Sequence, residues 1–179
     1  HRLSEDPAAR VLLLEAGGSD RHLAVKMPAA FPEQFHTKRD WDYATDPEPA
    51  LGGRSLYLPR GKMLGGSSSM NAMLYVRGRP ADCAAWEAAG AAGWGWDDVL
   101  PYYLKSEHNE RGASAFHAIG GPLNVMDPRS PRPLTARFLA ACEEVGIPHS
   151  PDYNSGIQDG AALAQVTQKG GRRWSAADA

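Results

Sequence analysis

Cysteine is scarce in this chain of 179 residues: Cys83 and Cys142 stand far apart, with no C-x-x-C pair and no histidine at ligand spacing. That excludes a disulfide framework and a zinc site and fits a reducing compartment. Clusters of Lys or Arg are also missing and the net charge is −2, so the electrostatic footprint of a nucleic-acid binder is absent. No apolar run approaches the ~18 residues of a membrane span, and the opening His1-Arg2-Leu3-Ser4-Glu5-Asp6 is too polar for a signal peptide. The expectation is a cytoplasmic protein with no nucleic-acid partner. There is no initiator Met. The chain opens on what reads as the last turn of a helix and stops at Arg172-Arg173-Trp174-Ser175-Ala176-Ala177-Asp178-Ala179, where a helix reads as beginning. Both ends read as cuts in a longer polypeptide.

Several catalytic signatures are missing as well. The only G-x-G, Gly93-Trp94-Gly95, follows no strand and has no third glycine. A phosphate-binding loop of the G-x-x-x-x-G-K-[ST] type needs glycine and a hydroxyl where Leu56 and Met63 stand. No G-x-S-x-G surrounds Ser67, Ser68 or Ser69, which argues against a serine hydrolase. His1, His22, His36, His108, His117 and His149 show no metal-ligand spacing and receive no role.

What is present is a loop. Residues 60–71, Arg60-Gly61-Lys62-Met63-Leu64-Gly65-Gly66-Ser67-Ser68-Ser69-Met70-Asn71, combine two cations, adjacent glycines and three hydroxyls. Paired glycines let backbone N–H groups turn onto an anion, cations supply charge, and serines add short donors. From composition alone a plain connecting loop is the alternative.

Residues 11–14, Val11-Leu12-Leu13-Leu14, form an apolar run suited to a strand buried on both faces of a parallel sheet. Glu15 then falls at its carboxyl end, where dinucleotide-binding folds place an acid on the adenosine ribose; the glycine turn of such a fold would precede His1. Residues 19–59 are rich in Pro, Asp and aromatics and predict irregular chain with strand pairs at most. Residues 70–75 are apolar enough to be buried, 82–89 predict a helix, and 97–107 a better one, with Asp97 and Asp98 at its start and Pro101 in its first turn. A strand is expected near 123–125, an amphipathic helix over 134–146 ending at Gly146, and a strand around 164–168.

Taken in order, these segments resemble the glucose-methanol-choline oxidoreductases, FAD-dependent enzymes acting on alcohols, and in particular their bacterial alcohol and choline dehydrogenase-like branch. The resemblance runs through Arg10 to Gly18, through Trp41-Asp42-Tyr43-Ala44-Thr45 with Pro47-Glu48-Pro49, and most specifically through Pro59 to Asn71 and on by Tyr75-Val76-Arg77-Gly78 to Asp82 and Trp86. Gly121-Pro122-Leu123-Asn124-Val125 and Gly171 to Ala179 complete it. It implies an α/β fold: part of a Rossmann-like FAD-binding domain over residues 1–112, and over 113–179 the start of an α+β substrate domain ending at a helix that returns to the FAD domain.

The same resemblance implies that Glu15, with Ala16 beside it, holds the adenosine ribose. Arg60, Gly61, Lys62, Leu64, Gly65, Gly66, Ser67 and Ser68 would wrap the pyrophosphate and ribityl chain. Asn71 would lie near the flavin ring and Ala72 on its reactive side. Met70 stands where some relatives attach FAD through a histidine, so non-covalent FAD is implied. The implied partners are a small-molecule alcohol and an electron acceptor, oxygen, a quinone or another. The family's catalytic histidine belongs near the far C-terminus, so no catalytic residue is assigned within 1–179, and the isolated segment is expected neither to oxidise alcohols nor to bind FAD tightly. Two rivals are a hydroxynitrile lyase on the same fold and a non-catalytic flavin-binding module.

Overall fold

The structure, a computed structural model, describes residues 2–179. Proline and glycine punctuate the chain so densely that its elements are short. A single turn of 3-10 helix at Arg2–Ser4 stands where the sequence suggests a helix end; His1 lies outside the described residues. The one-turn helix α1 (Leu23–Lys26) is capped by His22, whose Nδ1 accepts the Ala24 N–H at 3.2 Å. A 3-10 run, Pro28–Gln34, follows. β1 (Tyr43–Ala44) pairs antiparallel with β2 (Tyr57–Leu58), the one strand pair within the irregular 19–59 excursion.

α2 (Pro80–Ala88) starts with proline at its first position and with Asp82 accepting the Arg79 N–H at 2.8 Å. α3 (Trp96–Ser106) carries Asp97 and Asp98 in its first turn, favourable to the helix dipole. Pro101 lies inside α3 rather than in its first turn as expected; because the helix starts at Trp96, the proline deprives the Asp97 carbonyl of its i→i−4 donor. β3 (Glu107–Asn109) runs straight on from α3 and pairs in parallel with β4 (Leu123–Val125), Glu107 opposite Leu123.

α4 (Pro133–Glu144) ends as the sequence predicts: Gly146 takes φ 85°, its N–H reaches the Glu143 carbonyl, and the Ile147 N–H reaches Cys142 at 2.8 Å. β5 (Gln168–Lys169) and β6 (Arg172–Arg173) form a hairpin around Gly170-Gly171, both at positive φ. Where a terminal helix was expected, β6 is followed by one turn in which Ala179 N–H bonds the Ser175 carbonyl at 3.1 Å. The strand expected around 164–168 is realised as bridges from Val166 to both Leu74 and Met126, with regular pairing starting at Gln168.

One expectation fails outright within the described residues. Residues 11–14 form no strand, and Leu12, Leu13 and Leu14 are about four-fifths exposed, at 81%, 77% and 82%. A strand exists only where neighbours take its N–H and C=O groups, and no described segment lies beside this run. Among the described residues no helix is long and apolar enough to cross a membrane.

The apolar interior is divided. Val25, Met63 and Met70 pack with Phe35 beneath the 60–71 loop; Met73, Met126 and Val166 form a second cluster where the bridges converge. Between them the interior is polar. Arg77 Nη2 donates to Glu107 Oε2 at 2.9 Å with both side chains at 1% exposure or less, and Asn109 Nδ2 donates to Glu107 Oε1 and Gln165. His117 spans two acids, Nδ1 to Glu107 at 3.0 Å and Nε2 to Asp152 at 2.8 Å. The Glu107 hydrogen bond, opposed by burial and aided by Asp152, raises the imidazole above its ordinary 6.5. Burial pushes Glu107 up, but hydrogen bonds from His117, Asn109 and the Ala118 N–H, with the Arg77 charge, hold it below 4.5.

Because the folded imidazole binds its proton more tightly than the unfolded one, its stabilisation is complete below pH 6.5 and is lost as pH rises through the higher folded value. Urea unfolding across that window is expected to show stability declining with pH, and His117→Gln to flatten the decline. Arg77→Met, which strands Glu107 as a buried charge, is expected to cost about 3–5 kcal/mol in the same measurement.

Candidate functional site

The 60–71 loop is held on three sides. On the first lies the segment after Glu15: Glu15 Oε1 accepts the Gly17 N–H at 2.7 Å, Gly18 bridges in parallel to Met63, and the Gly18 carbonyl accepts the Leu64 N–H at 3.0 Å. Gly17 crosses the loop so closely that a Cβ there would stand 1.9 Å from the Lys62 carbonyl oxygen. Glu15 and the loop, assigned separately from sequence, are thus adjoining segments.

On the second side is Asp40. Its buried carboxylate accepts the N–H of His36 at 3.1 Å and those of Asp42 and Arg60 at 3.0 Å, and the Tyr57 hydroxyl. Burial opposes the charge, but the Tyr57 hydroxyl and these three N–H groups outweigh it and pull the carboxyl down to about 2. Burial and Asp40 together push the Tyr57 phenol up to about 12. Arg39 accepts the Lys62 N–H at 2.7 Å and Arg60 accepts the Trp41 N–H at 2.9 Å, so Asp40 and its neighbours fix where the loop begins.

The loop also bonds itself. Ser67 Oγ accepts the Gly61 N–H at 3.2 Å, Ser68 Oγ donates to the Gly65 carbonyl at 2.6 Å, and buried Ser69 donates to the Leu64 carbonyl at 2.8 Å. The serines therefore shape the turn first. Gly65 and Gly66 take φ of 84° and 54°, a region that favours glycine, and lead into the 3-10 turn Gly66–Ser69. A Cβ on Gly61 would lie 2.2 Å from the Gly66 carbonyl oxygen.

On the third side is Arg173, 1% exposed. Its Nε donates to the Val25 carbonyl at 2.9 Å, Nη1 to the Ser68 carbonyl at 2.9 Å and to Asn71 Oδ1 at 2.8 Å, and Nη2 to the Asn71 carbonyl at 2.7 Å. Burial lowers the guanidinium to about 10, which leaves it cationic at neutral pH, with Asp178 favouring the charge. Asn71 and Ala72, at the loop's end, are exposed.

Beside Gly18 and Met63 opens a cleft of about 360 Å³ lined by Arg21, His22, Lys38, Arg39 and Lys62, with no carboxylate in its lining. A larger cavity of about 950 Å³ adjoins it through Ser19, Arg21 and His22, and holds the Lys26 ammonium between Asp20 and Asp178. Burial opposes the Lys26 charge, but both acids together raise its pKa. Lys62 Nζ lies 4.5 Å from the ring centroid of Trp41, which stacks on Tyr43.

Sequence reasoning missed Arg173 and Asp40. No local signal separates Arg173 from Arg172, nor Asp40 from Asp42; only burial does. The structure thus brings together a loop closed against backbone at Gly17 and Gly61, the Glu15 carboxylate at one end, and a cleft lined by cations with no carboxylate in its lining.

The GMC oxidoreductase profile matches residues 12–179, and the chain belongs to that family. It is 44% identical over its whole length to an oxygen-dependent choline dehydrogenase of Rhizobium etli (strain CIAT 652) and to one of Rhizobium meliloti (strain 1021), covering 33% of each. The crystal structure of pyridoxine 4-oxidase from Mesorbium loti matches with a TM-score of 0.94 and 39% identity over 99% of this chain and 35% of that one. An FAD-dependent oxidoreductase from Chaetomium thermophilum matches at 0.88 and 29% identity over 97% of this chain and 32% of its own. The chain therefore spans about a third of the length of these relatives.

The cofactor of the family is FAD, and the residues here fit it: glycine where any Cβ would close the cradle, and cations without carboxylates where phosphates need charge. With Met at position 70, no histidine offers a covalent link there.

Gly61→Ala must push backbone against backbone, and is expected to cost about 1–3 kcal/mol and to lower the flavin-to-protein ratio after purification. Gly18→Ala meets nothing within 4 Å and is the matched packing control, expected to leave the melting temperature unchanged.

Proposed function

We propose that the full-length polypeptide carrying this chain oxidises the CH–OH group of a small alcohol with FAD held non-covalently, and that residues 1–112 contribute to its FAD-binding domain while 113–179 begin the substrate domain. The observation that carries this reading is the closed Gly17–Lys62 and Gly61–Gly66 cradle, continuous with Glu15 at one end and Asn71 at the other. Family membership supports it.

In this reading Glu15, with Ala16 beside it, holds the adenosine ribose, its carboxylate accepting from ribose hydroxyls as well as from the Gly17 N–H. Arg60, Gly61, Lys62, Leu64, Gly65, Gly66, Ser67 and Ser68 follow the pyrophosphate and ribityl chain. The serine hydroxyls serve chiefly by fixing the turn; because the N–H groups of Arg60, Gly61, Lys62, Leu64, Gly66 and Ser68 are already bonded within the protein, it is chiefly the cations that face the ligand. Asn71 orients the flavin end. Ala72, exposed and small, leaves space on the reactive side for the alcohol carbon.

When bound, FAD supplies the hydride acceptor at N5. The proton of the alcohol is taken by a base outside residues 1–179. The protein's contribution here is position: three backbone contacts fix the loop so that the bound alcohol meets the ring in one orientation. The relatives' names include choline and pyridoxine as substrates and oxygen as acceptor, and this chain's substrate and acceptor are proposed from the same classes.

Anaerobic mixing of the purified full-length protein with choline, pyridoxine and simple primary alcohols tests the reading. The expected outcome is bleaching of the flavin's visible absorbance by at least one of them, with about one aldehyde formed per flavin. Oxidised flavin persisting while a cyanohydrin is cleaved would replace the oxidase by a lyase. The isolated segment 1–179 is expected to give no saturable quenching of FAD fluorescence at equimolar concentration.

A further inference from the structure

We propose that Arg173 is a positioning residue that fixes the Asn71 side chain as a hydrogen-bond donor toward the bound flavin. The inference rests on the reading of residues 60–71 as the FAD cradle, and it specifies what that cradle presents at its end.

An asparagine amide offers an oxygen that only accepts and a nitrogen that only donates. The oxygen of Asn71 has two neighbours, Arg173 Nη1 at 2.8 Å and the Met73 N–H at 3.0 Å. Both can only donate. No flipped arrangement is compatible with them, because it would set the amide N–H groups against a buried cation and a backbone N–H. The oxygen therefore points inward and Nδ2 is turned away from the clamp, on an exposed residue, with no hydrogen bond among the described residues.

The backbone shows why this arrangement persists. Met73 is buried, at 3% exposure, with φ at 62°, a left-handed conformation unusual for a long side chain. Its N–H is held by the same Asn71 oxygen. Arg173 thus acts through Asn71 on two things at once: the polarity of the exposed amide and the left-handed turn that leads into the second apolar cluster. Arg173 also holds the Asn71 and Ser68 carbonyls, which fixes the loop from Ser68 to Asn71 as a unit. A lysine could satisfy one of these carbonyls but lacks the planar fork that reaches all four acceptors.

A donor facing the electron sink stabilises its reduced, more electron-rich state, so it raises the flavin's reduction potential. The test is made on the full-length protein. Asn71→Asp keeps oxygens for Arg173 and Met73 and hence keeps the loop, but removes the outward donor. The expected result is an unchanged melting temperature, a more negative flavin midpoint potential and at least tenfold weaker FAD binding.

Arg173→Met is expected to shift the potential in the same direction, Arg173→Lys to shift it less, and the double variant Asn71→Asp/Arg173→Met to add little to either. If Arg173→Met does not fold, Asn71→Asp and Arg173→Lys decide the matter. A wild-type protein that binds FAD, with Asn71→Asp leaving both potential and affinity at wild-type values, overturns the donor role while the cradle reading stands. A wild-type protein that takes up no FAD overturns both.

Discussion

The fold of this segment depends on a buried cation that is solvated by carbonyl groups. Arg173 reaches from the β5–β6 hairpin to α1 through Val25 and to the 60–71 loop through Ser68 and Asn71. Moving a charged side chain out of water costs several kcal/mol even after relaxation, so such an arginine persists only where its N–H groups all find oxygen. Here four acceptors are supplied by two segments, α1 and the 60–71 loop, that share no regular sheet with each other or with the hairpin. The arginine does the work that strand pairing does elsewhere, and it does so where glycine-rich chain cannot form strands.

The same solution recurs at Asp40 and at Glu107. Each is a buried acid that ties local donors to distant ones: His36 and Asp42 with Tyr57 and Arg60 on Asp40; Asn109 with Arg77, His117 and the Ala118 N–H on Glu107. The apolar clusters are small, three buried residues each. Apolar burial is non-directional and tolerates sliding, whereas a carboxylate with four or more donors has one geometry. Specific loop conformation, which a ligand cradle needs, is therefore set by the polar groups, and the methionines fill what space remains.

How much was legible in the sequence follows from this division. Features governed by local chemistry were readable: the glycine pair at positive φ, the Gly146 helix end and the acids at the start of α3. The Glu15 and 60–71 segments, singled out from sequence, lie side by side in the fold. Features governed by partners were not. Residues 11–14 read correctly as an apolar run, but a strand is a property of a pair, and no described neighbour completes it. Pro101 was placed too near the start of α3: it is the sixth residue of the helix and lies past the first turn. His117 carried no spacing signal and proved to be buried between two acids. Arg173 stands next to an arginine that looks the same on paper, and only the three-dimensional meeting of Val25, Ser68 and Asn71 distinguishes them.

The two buried arginines also differ in what they contribute beyond stability. Arg77 is neutralised at 2.9 Å by Glu107, so the pair presents little net field to anything outside it. Arg173 is bonded to dipoles; Asp178 favours its charge from a distance, but that carboxylate bonds Lys26 and Ser175. A charge solvated by dipoles is stabilised without being cancelled. At an effective dielectric constant near 20, a unit charge about 4 Å away is worth about 4 kcal/mol, and dipoles do not remove that field as a carboxylate would. Along the cleft beside Gly18 and Met63, Arg21, Lys38, Arg39 and Lys62 add further cations with no carboxylate in the lining, so the positive field on that side of the loop is not cancelled locally.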